Sequence, residues 1–152
     1  MALTCEADDT VEACPTPVPG TDADQYLQRA RDEADFSVLY PCYLPNSQRL
    51  RSSAITGATG RQLVELAWDG PFDMVIRQAQ FPPAPVAATV GASRRTIDLF
   101  PNTRATFIEI NDGSAQAQYY LLWSQNGIYY ELQAVGPPLQ QNAILRIARS
   151  LQ

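Results

Sequence analysis

Residues 116–135 read QAQYYLLWSQNGIYYELQAV. Asn126-Gly127 stands at the centre of this stretch and suits a two-residue type I′ turn, in which both central residues take positive φ. The turn fixes a register. Gln125 faces Ile128, Trp123 faces Tyr130, Leu121 faces Leu132 and Tyr119 faces Ala134. Strand alternation places all of these on one face of a sheet. Aromatic and branched cross-strand pairs contribute about 0.2–1 kcal/mol each beyond an Ala–Ala pair. The opposite face carries Tyr120, Leu122, Ser124, Tyr129, Glu131 and Gln133, a mixed set. One face is therefore core, and other strands must complete it.

Those strands are legible on the N-terminal side. Residues 61–68 and 72–80 form a second hairpin around Asp69-Gly70-Pro71. Its simplest register pairs Leu63 with Ile76, Val64 with Val75 and Ala67 with Phe72. That register puts Leu63, Ala67, Phe72, Met74 and Ile76 on one face, and Val64, Leu66, Trp68 and Val75 on the other. Both faces are apolar, so a covering layer is expected on each. Glu65 and Asp73 interrupt the pattern and project to opposite faces in this register. Further strands are expected at 36–40, stopped by Pro41, and at 48–55, where Arg49 and Arg51 mark a solvent side. Two more are expected at 94–100 and 104–111, around Pro101-Asn102. The segment 81–88, FPPAPVAA, is a proline-rich connection and the best candidate for a long surface loop.

Helical patterns flank the strands. Thr21 or Asp22 can cap a helix over 22–34, with Ala23, Tyr26, Leu27, Ala30 and Ala34 on one stripe. After Gly136-Pro137-Pro138, Leu139, Ala143, Ile144, Ile147, Ala148 and Leu151 share a stripe over 139–151. Arg146 and Arg149 suit its C-terminal dipole. The expected fold class is α+β: a single twisted antiparallel β-sheet with N- and C-terminal helices packed on it. The C-terminal helix would cross one face and the N-terminal helix part of the other. Residues 1–21, acidic and then proline-rich, read as a tail or linker in extended polyproline geometry. Residues 22–152 read as one domain.

A chain of 152 residues is long enough for a real core. It holds 11 basic and 16 acidic residues, a net charge of −5. That balance repels phosphate backbones and argues against nucleic acid as a partner. There is no histidine, and every basic residue is arginine. Triads needing an imidazole base, Schiff-base lysines, a P-loop lysine and His-ligated zinc are excluded with them. No segment approaches the ~20 apolar residues of a membrane span. The expectation is a soluble head, attached to a membrane only through an anchor outside this chain.

Three features resemble a family of bacterial domains of unknown function. They are F-x-V-x-x-P-x-x-L-P at 36–45, the LLWSQNGIYYEL hairpin at 121–132 and L-R-I-A-R-S-L at 145–151. The family lies at the C-terminal, extracytoplasmic end of anti-sigma-factor-like proteins and on envelope lipoproteins. The likeness covers roughly residues 35–152. It implies a sensory or binding module outside the cytoplasm and brings no catalytic motif. The strand-proline start and closing helix are similar, more loosely, to PsbP-like folds, which bears on fold alone. Cys42 inside the Pro-x-x-Leu-Pro turn departs from the family pattern. An oxidising compartment fits the likeness, and Cys14–Cys42 is the favoured disulfide, pinning the tail to the first turn. By chain entropy such a bridge contributes ~3–4 kcal/mol. A Cys5–Cys14 loop and three free thiols stay open as alternatives.

Candidate chemistry is sparse. Acid–base catalysis needs carboxylates held together with shifted pKa values. Glu65, Asp73, Asp98, Glu109 and Asp112 are the candidates, and each also reads as a salt bridge or solvated edge. Arg94-Arg95 reads as a local anion site or a solvated strand end. Of the aromatics Trp68, Tyr119, Tyr120, Trp123, Tyr129 and Tyr130, the pair on the mixed face, Tyr120 and Tyr129, best fits a ligand wall; sheet packing is the other reading. No catalytic residue, metal or cofactor is expected. The functional expectation is a non-enzymatic extracytoplasmic module binding a partner protein or small apolar ligand. Alternatives are a carboxylate-dependent hydrolase or isomerase, and a structural envelope scaffold. The hydrolase reading predicts acidic side chains converging in one cleft with one pKa raised; the scaffold reading predicts no pocket.

Overall fold

Asn126 and Gly127 adopt φ of 54° and 81°, as a type I′ turn requires. The strands they join, β6 (Ala117–Gln125) and β7 (Ile128–Gly136), pair in the register read from the sequence: Trp123 with Tyr130, Leu121 with Leu132 and Tyr119 with Ala134. Trp123 and Tyr130 lie on the same side of the sheet, their rings stacked with centroids 5.2 Å apart. This computed structural model describes residues 17–45, 47–85, 91–111, 113 and 115–152.

Around this hairpin the sheet grows to seven strands in the order β1-β2-β3-β7-β6-β5-β4, every neighbouring pair antiparallel. The remaining strands are β1 (Arg49–Thr56), β2 (Leu63–Asp69), β3 (Asp73–Ala79), β4 (Ala92–Phe100) and β5 (Thr103–Ile110). Two helices, α1 (Asp22–Glu33) and α2 (Gln141–Arg149), complete an α+β fold. Thr21 caps α1, its hydroxyl accepting from the Asp24 amide at 3.3 Å.

The core lies on one side of the sheet. Val64, Leu66, Trp68, Met74, Ile76, Phe107, Tyr119, Leu121 and Leu132 form a single buried cluster with Ile144 and Ile147 of α2. Leu27 and Ala30 of α1 belong to the same cluster, as do Val38 and Tyr40. The expected placement of the N-terminal helix on the second face is thus corrected. Both helices and the segment between α1 and β1 cover the same face, because that segment carries the apolar residues able to fill it. On the other face, β2, β3, β7 and β6 present a half-exposed surface of Leu63, Glu65, Val75, Arg77, Tyr129, Gln133, Tyr120 and Leu122.

Two local expectations also change. The β2–β3 hairpin pairs Leu63 with Ala79, Glu65 with Arg77 and Trp68 with Met74, three residues out of the simplest register. Pro71 cannot donate to a ladder, and Phe72 leaves the strand for the core, 5% exposed. Its amide donates to Gln48 Oε1 and its Cβ seats where Gly136 has no side chain; a Cβ at position 136 would stand 2.8 Å from it. The loop lengthens, and Glu65 and Asp73 fall on the same face rather than opposite ones. Residues 36–40 form no strand. They are fastened instead by Gln78, wholly buried, whose Oε1 accepts from the Leu39 amide at 2.9 Å and whose Nε2 donates to the Leu39 carbonyl at 2.8 Å.

The chain after α2 completes the layer. Tyr40 and Gln152 exchange backbone hydrogen bonds of 2.9 and 3.1 Å, and the Cys42 amide donates to Ser150. The Tyr119 hydroxyl accepts from the Leu139 amide and donates to its carbonyl, which sets where α2 begins.

Candidate functional site

β3 and β4 occupy the third and seventh positions of the sheet, with β7, β6 and β5 between them. Residues 81–85, Phe-Pro-Pro-Ala-Pro, leave β3 over the face that carries no helix. Beneath them lies a cavity of about 550 Å³. Proline fixes φ and leaves no amide to satisfy, so this stretch can roof a half-buried site without a ladder partner. Leu63, Ala79, Phe81, Pro83, Ala84 and Pro85 give the cavity its apolar walls, and Tyr120 and Tyr129 line it from β6 and β7.

The floor is polar and follows from register. Glu65, Arg77 and Glu131 are direct cross-strand partners on β2, β3 and β7. Arg77 Nε donates to Glu65 Oε2 at 2.6 Å, and its Nη1 donates to Glu131 Oε2 and to Gln133 Oε1, both at 3.0 Å. Gln133 Nε2 donates to the Tyr120 hydroxyl at 3.1 Å, which donates onward to Gln118 Oε1 at 3.2 Å. One hydrogen-bonded chain thus runs across β2, β3, β7 and β6 and fixes the side chains facing the cavity before anything binds.

Charge in this floor is uneven. The Glu131 side chain is 11% exposed, against 29% for Arg77 and 38% for Glu65. Burial pushes the Glu131 carboxyl above its ordinary pKa; the charge and hydrogen bond of Arg77 oppose that, and the nearby Glu65 charge adds to it. Burial likewise raises the phenols of Tyr40 and Tyr130, on the covered side.

The structure places the sequence candidates as follows. Tyr120 and Tyr129 both line the cavity. Trp68, Tyr119 and Trp123 are buried in the core instead, and Tyr130 belongs to the core while also bordering the cavity. Glu65 joins the floor through Arg77, whereas Asp73 sits four residues away along β3 and is exposed. Asp98 makes an exposed ion pair with Arg104 at 3.6 Å, and Glu109 lies opposite Ser93; Asp112 falls outside the described residues. Arg94 and Arg95 are both exposed on β4, and the Arg95 guanidinium lies 5.0 Å from the Phe107 ring centroid and bonds Gln141 of α2. Cys42 is buried at 9% exposure and is not a free thiol, while Cys5 and Cys14 lie outside the described residues.

Arg77 and Glu131 were missed as site residues by sequence reasoning. In the incorrect hairpin register Arg77 had no acidic partner, so the triad was invisible. Among the described residues no group of three or more metal-binding side chains is arranged to hold an ion, and no helix is long and apolar enough to cross a membrane. No protein-family model, curated protein or solved structure matches the chain.

Proposed function

We propose that this chain is a non-enzymatic, extracytoplasmic binding module whose ligand is a small molecule with an apolar body. The observation that carries the reading is the cavity under residues 81–85, with apolar walls and a hydrogen-bonded floor. Sites of this kind hold small molecules: apolar lining supplies affinity, and a few fixed polar groups supply orientation. A structural scaffold has no use for such a cavity. The extracytoplasmic part rests on the family resemblance, on the extended tail composition and on the engaged Cys42, for which Cys14 is the proposed partner.

The test is a fragment titration followed by amide NMR on the whole chain. Binders are expected to shift the amides of Leu63, Ala79, Tyr129 and Gln133 together. Ala84→Phe, which fills the cavity from its exposed roof, is expected to abolish those shifts while the protein stays folded. A screen in which no fragment moves that group of amides overturns the proposal. A non-reducing peptide map tests the disulfide, with residues 14 and 42 expected in one linked species.

One observation favours the enzymatic rival: Glu65 and Glu131 do converge in a cleft, and one of them has a raised pKa. Both carboxylates are tied to the same guanidinium, however. A general acid must release its proton to a substrate, and the Arg77 guanidinium bonded to both carboxylates favours their charged forms. Turnover of an activated ester or glycoside, lost in Glu131→Gln, would reverse this choice.

A further inference from the structure

The geometry points to an organic cation, an ammonium or amidinium group on an apolar or aromatic body, as the ligand of this cavity. The inference rests on the binding reading above and adds the chemical class of the ligand.

Among the described residues Arg77 is the only basic one lining the cavity and Glu131 the only acidic one; Glu65 stands outside the lining and joins the floor through its bond to Arg77. Arg77 already serves two carboxylates, through Nε to Glu65 and through Nη1 to Glu131. One guanidinium against two carboxylates leaves one negative charge. Arg61 lies outside the lining as Glu65 does, but it is exposed, where water screens it, and it rests 5.1 Å from the Phe81 ring centroid rather than in the triad.

An excess charge on the surface is screened by water and ions. Here it sits on a floor whose more buried member, Glu131, is 11% exposed at the side chain. Charges in such surroundings interact several-fold more strongly than in bulk water. Arg77 meets Glu131 through Oε2, and Glu131 lines the cavity, so its carboxylate can also accept from a ligand N–H. An anionic ligand would meet this excess charge, and a neutral one would leave it uncompensated.

Tyr120 and Tyr129 line the cavity from the sheet and Phe81 from the roof, where Arg61 already rests against the Phe81 ring. Aromatic rings attract cations through their quadrupole, with the largest effect where water is displaced. Apolar walls of Leu63, Ala79 and the prolines then fit the body that carries the charge.

The experiment compares three probes with one body: 3-phenylpropylammonium, 3-phenylpropanol and 3-phenylpropionate, titrated into the whole chain by amide NMR. The ammonium is expected to shift Leu63, Ala79, Tyr129, Glu131 and Gln133 and to bind about tenfold tighter than the alcohol. The carboxylate is expected to bind weakest. Glu131→Gln is expected to bring ammonium and alcohol within about twofold of each other. Glu65→Gln removes the same charge from a half-exposed position, and serves if the Glu131 variant fails to fold. Alcohol binding equal to or tighter than ammonium binding overturns the inference and leaves the binding reading standing. A cation preference unchanged in both variants overturns it too. If none of the three shifts the cavity amides, the inference and the reading beneath it both fail for this ligand size.

Discussion

Gln78 shows how one side chain can stand in for a strand. It lies on the covered face among Met74 and Ile76, wholly buried, and its amide meets both backbone groups of Leu39. Replacing it with leucine keeps the volume but strands a buried N–H and C=O. Each such group costs ~1–3 kcal/mol. Gln78→Leu is expected to lower unfolding free energy by about 2–4 kcal/mol in urea denaturation, and a loss below about half a kcal/mol would mean the segment finds other partners. Glu131 is a different case, visible in pH. Its pKa is raised above the ordinary 4.5, so the folded chain holds a proton that the unfolded chain releases. The contribution of this group is full below the unfolded value and is lost as pH rises through the folded value. Glutamine stands in for the protonated form. Wild-type stability is therefore expected to fall relative to Glu131→Gln from about 4.5 upward and then level off. Denaturant midpoints measured from acid to neutral pH decide it, and parallel profiles would contradict it.

Among elements, legibility tracked how strongly a turn commits the chain. Asn126-Gly127 admits one tight hairpin geometry, so the pairing of β6 and β7 and the side of Trp123 and Tyr130 could be read directly. Asp69-Gly70-Pro71 admits several. The three-residue error came from treating Phe72 as a strand residue, when the glycine at 136 on the neighbouring strand gives its ring a seat in the core. Nothing local to either hairpin encodes that long-range fit. Residues 36–40 carry a strand-like composition, yet they meet the Gln78 side chain at Leu39 and the chain end at Tyr40 rather than a strand of the sheet, which no periodicity announces. Helix α2 offers a prediction at this scale. Its stripe was readable, but Gln140 at the N-cap makes no side-chain hydrogen bond and the first turn carries no acid. Gln140 already has extended φ and ψ of −82° and 144°. An aspartate there can accept from the first-turn amides and also meets the positive dipole end. Gln140→Asp is expected to raise stability by about 0.5–1.5 kcal/mol, read as a higher denaturation midpoint at unchanged m-value.

Across the whole molecule, the two faces of the sheet have different tasks. The covered face gathers both helices, the 36–44 segment and the residues after α2 into one cluster, so stability resides there. The other face carries an ion network that stability does not demand. A triad bridging three strands incurs desolvation on every member, and apolar replacements of similar volume are often neutral or stabilising. Removing one member is different, because the others lose the partner they share. Arg77→Met would leave Glu65 on β2 and Glu131 on β7 without the guanidinium that stands between them on β3. With side chains 29%, 38% and 11% exposed, water screens part of the effect, so the expected loss is about 1–3 kcal/mol rather than the value for a sealed triad. The combined Glu65→Leu, Arg77→Met and Glu131→Leu variant is expected to recover that loss and reach at least wild-type stability in the same denaturation assay. It is expected at the same time to lose the preference of the cavity for a cation. If the triple variant were instead the least stable of the set, the network would be structural. The uneven charge under residues 81–85 would then need no ligand to account for it.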